Sequence, residues 1–219
     1  MQMDEPLSSA RATLATRLIV ALRGRGHQAY LVGGCVRDRL LGITPKDFDV
    51  VTDALPNEVA EYFPPARLVG AQFGVVLVTD GPGVQVEVAT FRSEGAYGDG
   101  RRPNTVRFES QPALDARRRD FTVNGLLQDP LSGEVLDYVG GKADMDAKMI
   151  RAIGNPERRF DEDHLRMLRA VRFAARLGFS IEDKTFSAIQ HAASCIVKIS
   201  AERTREELIR ILIEGAARR

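Results

Sequence analysis

The sequence predicts an α+β protein, with a mixed α/β part over residues 1–150 and an all-helical part over residues 151–219. Up to about residue 150, short apolar runs that end at turn residues alternate with short amphipathic segments, which indicates strands separated by helices. From Asp161 onward apolar residues recur every three to four positions, which is the helical spacing. The chain has 219 residues, of which 44% are hydrophobic, so it can bury a core without disulfides.

The first part opens with an amphipathic helix, in which Leu14, Leu18 and Leu22 are four positions apart. A strand follows and runs into a pair of glycines. In chain order we predict a helix over 9–23, a strand over 28–32, a helix over 35–41, a strand over 47–51, a helix starting near Pro56, strands over 74–79, 84–91 and 106–109, a helix over 121–127, and strands over 134–139 and 149–153. Residues 92–105 are polar and rich in glycine, so we expect a loop there.

The second part is predicted to contain three helices, over residues 161–177, 182–194 and 201–217. Gly178 ends the first of them, because glycine adopts the left-handed conformation that commonly follows a helix. Ser200 is an expected N-cap of the third helix.

Charge and composition exclude several classes of protein. The 31 basic and 30 acidic residues give a net charge of +1, so the chain is not a histone-like binder of nucleic acid. The first part carries 17 basic and 20 acidic residues and the second 14 and 10, which leaves a local basic groove possible. No apolar run approaches the roughly 18 residues of a membrane helix, and the acidic N-terminus does not resemble a secretory signal. We therefore expect a cytoplasmic protein without a membrane partner.

The first chemical motif is the glycine pair Gly33-Gly34, followed by Arg37. Glycines between a strand and a helix let the backbone approach a phosphate closely, and the helix start offers N–H donors. Arg37, one turn into the helix, could add a charge-assisted hydrogen bond. Such glycine turns are common, so an ordinary connection is the competing interpretation.

The second motif consists of three carboxylates on neighbouring predicted strands. Asp47 and Asp49 flank Phe48, and alternation on a strand places both carboxylates on one face with Phe48 in the core. Glu87 alternates with buried valines on a later strand and could complete an oxygen-ligand cluster for two metal ions. A solvated strand end and ordinary exposed alternation are the competing interpretations.

Two further motifs carry arginines near acidic or amide groups. Arg119 ends a run of three arginines, and Asp120 and Asn124 are four apart, on one face of the predicted helix, where they could bond a ribose hydroxyl. A solvated basic turn with a helix cap is equally consistent with this segment.

A stripe of one acid and three bases follows on the predicted helix 161–177. Asp163, Arg166, Arg169 and Arg172 are spaced by three residues, and a carboxylate and a guanidinium one turn apart can address a base edge. A solvated face of ion pairs is the competing interpretation. Farther along, the segment ERTREE contains Arg203 and Glu207, which we interpret as i, i+4 partners that stabilise the third helix.

Each motif is weak alone, but their order is specific. The chain contains, in sequence, LVGGCVRDRLLG, KDFDVVTDA, VEVATFRSEGAYGDGRRPNTVRF, RRDFTVNG, FDEDHLRMLRAVRFAARLGF and SAERTREEL. This series closely resembles the bacterial tRNA nucleotidyltransferase and poly(A) polymerase family, in particular its class II CCA-adding members. The resemblance covers residues 28–212.

The resemblance implies a nucleotidyltransferase head of the DNA polymerase β superfamily, with a mixed sheet, over residues 1–150 and a helical neck over residues 151–219. It implies that Asp47 and Asp49 bind metal and that Glu87 is the third catalytic carboxylate. The implied nucleotide-binding residues are Gly33, Gly34, Arg37, Arg119, Asp120, Asn124, Asp163, Arg166, Arg169 and Arg172. Among these, Asp163 and Arg166 match the pair that reads the incoming base in place of a nucleic-acid template.

The implied activity is the template-independent addition of CCA to the 3′ end of tRNA from CTP and ATP, with two Mg²⁺ ions and release of pyrophosphate. Family members continue into body and tail domains that grip tRNA, so we expect this chain to be a head and neck cut from a longer protein, with weak tRNA binding; a naturally short form is the alternative. A CC-adding enzyme, a poly(A) polymerase and a non-catalytic RNA-binding module are the alternatives. The glycine-rich loop 92–105 and the segment GAQFG at 70–74 favour the CCA-adding type over the first two.

Overall fold

The computed structural model describes residues 4–69, 74–95 and 105–214. The chain groups into two compact units. Unit 1 contains residues up to 94, together with 106–118 and 124–138, and unit 2 contains residues 95, 105, 119–123 and those from 139 onward. Each unit is described below by itself.

Unit 1 is built on a seven-stranded mixed sheet with the order β3-β4-β5-β2-β1-β8-β9. The strands are β1 (Ala29–Val32), β2 (Asp49–Thr52), β3 (Ala66–Leu68), β4 (Val75–Thr79), β5 (Gln85–Thr90), β8 (Leu127–Gln128) and β9 (Val135–Leu136). Strands β2 and β5 are parallel neighbours, whereas the other pairs are antiparallel. Two parallel strands at the centre bring residues from distant segments to the same end of the sheet.

The described residues of unit 1 form four α-helices: α1 (Asp4–Arg23), α2 (Gly34–Leu40), α3 (Pro56–Tyr62) and α4 (Pro112–Arg117). A separate hairpin pairs β6 (Arg92–Glu94) with β7 (Val106–Phe108). Helix α1 packs on β1, β2 and β5, and the predicted leucine stripe faces the sheet, since Leu14, Leu18 and Leu22 are at most 3% exposed. The apolar spacing of α1 is thus explained by the sheet that it covers.

Unit 2 contains five helices in its described residues: α5 (Gly141–Asp146), α6 (Pro156–Glu162), α7 (Leu165–Leu177), α8 (Asp183–Ala192) and α9 (Ala201–Ile213). A short parallel pair joins β10 (Met149–Ile150) to β11 (Ser180–Ile181). Helix α6 packs on α8, and Phe160, Met167 and Ala188 form a buried cluster. Ser200 caps α9, and Gly178 ends α7 in the left-handed conformation, as the sequence predicted.

Two predicted helices differ from the structure. Residues 121–127 do not form an α-helix: Thr122–Asn124 is a single 3-10 turn and Leu127 already belongs to β8. The predicted helix over 161–177 is two helices, because α6 ends at Glu162 and Asp163 has an extended backbone (φ −152°, ψ 103°). Apolar spacing cannot register a single extended residue between two helices.

Some predictions fall partly outside the described residues. These are the segment 70–74 except Gly74, most of the loop 92–105, and the end of the helix predicted to reach residue 217. Within the predicted loop, residues 92–94 instead form strand β6. None of the helices in the described ranges has the length and apolar character needed to cross a membrane.

Candidate functional site

The glycine pair of unit 1 joins β1 to α2. Gly33 is the N-cap of α2 with φ 77° and ψ −131°, and its N–H donates to the Leu126 carbonyl (3.2 Å). Gly34 is the first residue of the helix, and a Cβ added there would meet its nearest atom, Nη2 of Arg37, at 3.7 Å, an ordinary contact. The backbone conformation therefore requires glycine at 33, whereas the packing does not require it at 34.

Arg37 is buried below this turn and does not extend into solvent. Its side chain is 2% exposed, and Nη1 donates to the Asn124 amide oxygen (2.5 Å) while Nε and Nη2 donate to Asp38 Oδ1 (2.9 and 2.6 Å). Arg37 and Asn124, both predicted to bind nucleotide, are thus hydrogen-bonded to each other within unit 1. The geometry makes Arg37 an organiser of Asn124 and of the start of α2.

The carboxylates of the second motif lie on the two central parallel strands or, for Asp47, two residues before one of them. Asp49, the first residue of β2, is in register with Glu87 on β5, so both side chains project from the same face of the sheet. Asp47 precedes β2 and has an exposed side chain, whereas Phe48 between the two aspartates is 4% exposed. The predicted alternation of apolar core and outward carboxylates is therefore present.

Arg11 of α1, which the sequence did not single out, contacts this end of the sheet. Its Nη1 donates to Asp47 Oδ1 (3.1 Å) and to the Lys46 carbonyl (2.5 Å), and its Nε and Nη2 donate to the Gly83 carbonyl (3.2 and 3.0 Å). No sequence signal could have found it, because α1 is far along the chain from β2 and β5 and carries several arginines.

The donor set at this end fits a hard divalent cation. Asp47, Asp49 and Glu87 supply only carboxylate oxygens, the ligands that Mg²⁺ prefers. In the described ranges, no group of three or more histidine, cysteine or acidic side chains is arranged to hold a metal ion. Carboxylates repel one another without a cation between them, and Asp47 is paired with Arg11, so the backbone register rather than the side-chain positions is the evidence for this site.

Burial keeps the neighbouring thiol protonated. Cys35, the second residue of α2, is 3% exposed and its sulfur donates to the Val32 carbonyl (3.3 Å), and burial raises its pKa to about 11. The thiol is therefore neutral at physiological pH and adds no charge beside the acidic residues.

In unit 2, the predicted ribose-binding segment is tied to helix α7. Asp120 Oδ2 accepts from Nε and Nη2 of Arg169 (2.9 and 2.7 Å), a bidentate pair. Burial opposes the charge of Arg169, but the adjacent Asp120 carboxylate outweighs it and raises the Arg169 pKa. The backbone carbonyl of Arg119 accepts from the Arg159 guanidinium. The predicted shared helix face of Asp120 and Asn124 is wrong, since no α-helix contains them.

Asp163 and Arg166, the predicted base-reading pair, lie where α6 gives way to α7. Asp163 Oδ1 caps α7 by accepting from the Leu165 N–H (3.1 Å), and both carboxylate oxygens accept from Arg203 of α9 (3.1 and 2.9 Å). Arg166 donates to Glu162 Oε2 (2.8 Å) and to the Arg159 carbonyl (3.0 Å). The pair is held by partners on both sides, although Asp163 does not share a helix with the arginines that follow it.

The third-helix motif joins helices rather than stabilising one. Arg172 of α7 pairs with Glu207 of α9, and both side chains are 4% exposed. Arg203 pairs with Asp163, so the predicted i, i+4 pair of Arg203 and Glu207 is wrong: each binds a residue on or beside α7. Buried charges are satisfied across the helix interface, which local spacing cannot reveal.

A mixed sheet with paired acidic residues at the ends of two central strands, beside a glycine turn and followed by helices, defines the nucleotidyltransferase head fold. Comparison with known proteins agrees. The family model described as "Poly A polymerase head domain" matches residues 29–151, and that described as "Probable RNA and SrmB- binding site of polymerase A" matches residues 178–219. The first match covers more than half of the chain, so the chain belongs to the poly(A) polymerase head-domain family.

Relatives within this family carry a common name. A CCA-adding enzyme of Lactiplantibacillus plantarum is 45% identical over 199 residues, which is 91% of this chain and 48% of the relative. The crystal structure of the Bacillus stearothermophilus CCA-adding enzyme in complex with CTP matches with TM-score 0.84 and 39% identity, over 92% of this chain and 48% of that one. The Thermotoga maritima CCA-adding enzyme complexed with tRNA matches with TM-score 0.75 and 31% identity, over 91% and 46%. The chain spans about half the length of the curated relatives it matches.

Proposed function

We propose that the chain carries the catalytic and base-reading parts of a CCA-adding tRNA nucleotidyltransferase. It would transfer nucleotidyl groups from CTP and ATP to the 3′ end of tRNA and release pyrophosphate. The names of its relatives support this proposal, as does their crystallisation with CTP and with tRNA. The observation that carries it is the register of Asp49 with Glu87, with Asp47 two residues earlier.

We infer that Asp47 and Asp49 hold Mg²⁺ and that Glu87 completes the acidic cluster. When bound, Mg²⁺ would lower the pKa of the tRNA 3′-hydroxyl and neutralise the triphosphate and the leaving pyrophosphate. The three carboxylates then act as ligands and not as general bases. Catalysis by the chain itself consists of orienting the nucleotide and supplying charge at fixed positions.

The triphosphate side of the site belongs to the glycine turn. Gly34 lets the backbone approach a phosphate, and Gly33 provides the turn that aims the start of α2. Arg37 fixes the amide of Asn124, which would bond the ribose. This assignment keeps Arg37 in the site, although its burial makes it a support for the turn and for Asn124.

Unit 2 carries the residues that the proposal assigns to base reading. Asp163 and Arg166 would read cytosine or adenine, since a carboxylate accepts from an exocyclic amine and a guanidinium donates to ring acceptors. Arg203 donates to Asp163, and Glu162 accepts from Arg166. The remaining predicted nucleotide-binding groups of this unit are Arg119, Asp120, Arg169 and Arg172, of which the last two are tied to carboxylates.

In this proposal, residues 1–150 serve as the catalytic head and residues 151–219 as the neck, and the protein works in the cytoplasm, where tRNA matures. A tRNA substrate would be gripped weakly by these residues alone, because the matched relatives are about twice as long.

The activity is tested by incubating the protein with Mg²⁺ and CTP, ATP or both, on tRNA that ends before C74, C75 or A76. The proposal predicts two additions of C and then one of A, all abolished by Asp47→Ala. Homopolymeric A tails would instead identify a poly(A) polymerase, and products ending in C alone would identify a CC-adding enzyme. RNA binding without any incorporation at high protein concentration would favour a non-catalytic module.

Base reading is tested at Arg166. Arg166→Ala is expected to erase the preference for CTP over GTP while binding of the triphosphate survives, since no phosphate role is assigned to it. Arg158→Ala is the matched control, because Arg158 also approaches Glu162 (3.5 Å) but its side chain is 80% exposed. Unchanged selectivity in Arg166→Ala would refute the assignment.

A further inference from the structure

Arg11 connects the two chain segments that lead into the acidic strands. Lys46 and Asp47 lie three and two residues before β2 begins, and Gly83 lies two residues before β5 begins. The guanidinium binds the Lys46 and Gly83 carbonyls and Asp47 Oδ1 together, and its side chain is 20% exposed. One side chain of α1 therefore fixes the spacing of the two segments at the end of the sheet where Asp49 and Glu87 lie.

The hydrogen bonds of Arg11 make it a fixed group rather than a mobile counterion. Three of its four hydrogen bonds go to backbone carbonyl oxygens, which remain acceptors whatever the state of the Asp47 side chain. The fourth goes to one oxygen of Asp47, whose side chain is otherwise 82% exposed. An anchored guanidinium that binds Oδ1 restricts the rotation of an exposed carboxylate and directs Oδ2 away from itself.

We propose that Arg11 is a positioning residue of the metal site, which orients Asp47 as a ligand and holds the ends of β2 and β5 at the spacing the site needs. This inference rests on the proposed function, because it takes Asp47 and Asp49 as metal ligands. Groups that hydrogen-bond a metal ligand fix its orientation, and their loss typically weakens metal binding about 10–100-fold. The shape of the fork matters, because a planar guanidinium presents its N–H donors in a fixed arrangement, whereas a lysine ammonium is a compact charge on a flexible stem.

The opposite role makes a different prediction. If Arg11 were only a cation that neutralises Asp47 until a metal displaces it, removing it would tighten metal binding. The two roles are therefore separated by the sign of one measurement, and Arg17 offers a control for net charge. Arg17 lies on the same helix and pairs with Asp80 (2.7 Å), in the same connection between β4 and β5, without touching Asp47.

The experiment measures Mn²⁺ affinity by electron paramagnetic resonance on the full chain and on Arg11→Ala, Arg11→Lys, Arg17→Ala and Asp49→Asn, with far-UV circular dichroism to establish folding. We expect about tenfold weaker Mn²⁺ binding in both Arg11 variants, a change of less than about twofold in Arg17→Ala, and loss of the site in Asp49→Asn. Lysine at position 11 keeps the charge and most of the stem, so it tests the geometry if alanine does not fold.

The results distinguish a failure of the proposed metal site from a failure of the positioning role of Arg11. If Asp49→Asn binds Mn²⁺ as the unmodified chain does, the proposed metal site is wrong and the role of Arg11 falls with it. If binding depends on Asp49 but Arg11→Ala and Arg11→Lys bind equally well or more tightly, the metal site stands and the positioning role is overturned. Equal weakening in Arg17→Ala would also overturn it, because the effect would then be one of α1 as a whole.

Discussion

The adjacent glycines at the start of α2 are predicted to respond oppositely to the same substitution. Gly33 has φ 77° and ψ −131°, a region that residues with a Cβ rarely adopt. Alanine there should lower the free energy of unfolding by about 1–3 kcal/mol, the usual cost of such a conformation. Gly34 is helical, and an added Cβ would lie 3.7 Å from the nearest neighbouring atom. Alanine at 34 should therefore leave stability unchanged or raise it by up to about 1 kcal/mol.

CTP binding should instead be impaired by Gly34→Ala, the substitution that leaves stability unchanged. In Gly34→Ala the new methyl group would occupy the surface that the triphosphate approaches, so CTP binding should weaken although the protein is as stable as before. Urea unfolding followed by far-UV circular dichroism measures the first quantity, and equilibrium binding of CTP with Mg²⁺ measures the second. The chain contains no tryptophan, so fluorescence of that residue is not an option.

Two results would refute this reasoning. If Gly34→Ala is as destabilising as Gly33→Ala, the distinction drawn from the backbone geometry is wrong. If Gly34→Ala binds CTP as tightly as the unmodified chain, then the glycine at 34 does not serve the approach of a phosphate.

Three further predictions concern buried groups. Glu207→Ala should lower the free energy of unfolding by about 3 kcal/mol in urea, because it leaves the buried Arg172 guanidinium without its main partner; a loss below about 1 kcal/mol would contradict the pairing. Cys35 should resist a thiol reagent at pH 8 while the half-buried Cys195 reacts, and two reactive thiols in the folded protein would contradict its burial. Because the pKa of Cys35 is raised to about 11 in the folded protein, the thiol of the unfolded chain loses its proton at a lower pH. The free energy of unfolding should therefore fall by up to about 3 kcal/mol between pH 9 and 11. Cys35→Ala should remove that part of the fall.

The sequence was sufficient for elements with strong local patterns. The leucine spacing of α1, the alternation around Phe48 and the glycine after α7 are each patterns within one segment of the sequence. The helix predicted over 121–127 failed for the opposite reason. Leu127 pairs with Leu136 in a β-sheet, and such pairing with a distant strand overrides local helix propensity.

In the candidate site, too, the local patterns could be predicted from the sequence and the contacts between distant residues could not. Residue types and order indicated Asp47, Asp49 and Glu87, because their chemistry and alternation are local. The partners that fix the site residues were not predictable from spacing: Arg11 for Asp47, Asn124 for Arg37 and Arg203 for Asp163. Each of these contacts joins residues at least 36 positions apart, and only the tertiary fold determines them.

The central claim is that Asp49 and Glu87, in register on β2 and β5, support metal-dependent nucleotidyl transfer. It is tested most directly by the incorporation of C and A from labelled CTP and ATP into tRNA that lacks its CCA end. Asp49→Asn and Glu87→Gln, matched with the exposed Glu61→Gln on α3, change charge but hardly change size. We expect incorporation by the unmodified chain and by Glu61→Gln, and none by the other two variants. Equal incorporation by Asp49→Asn would contradict it.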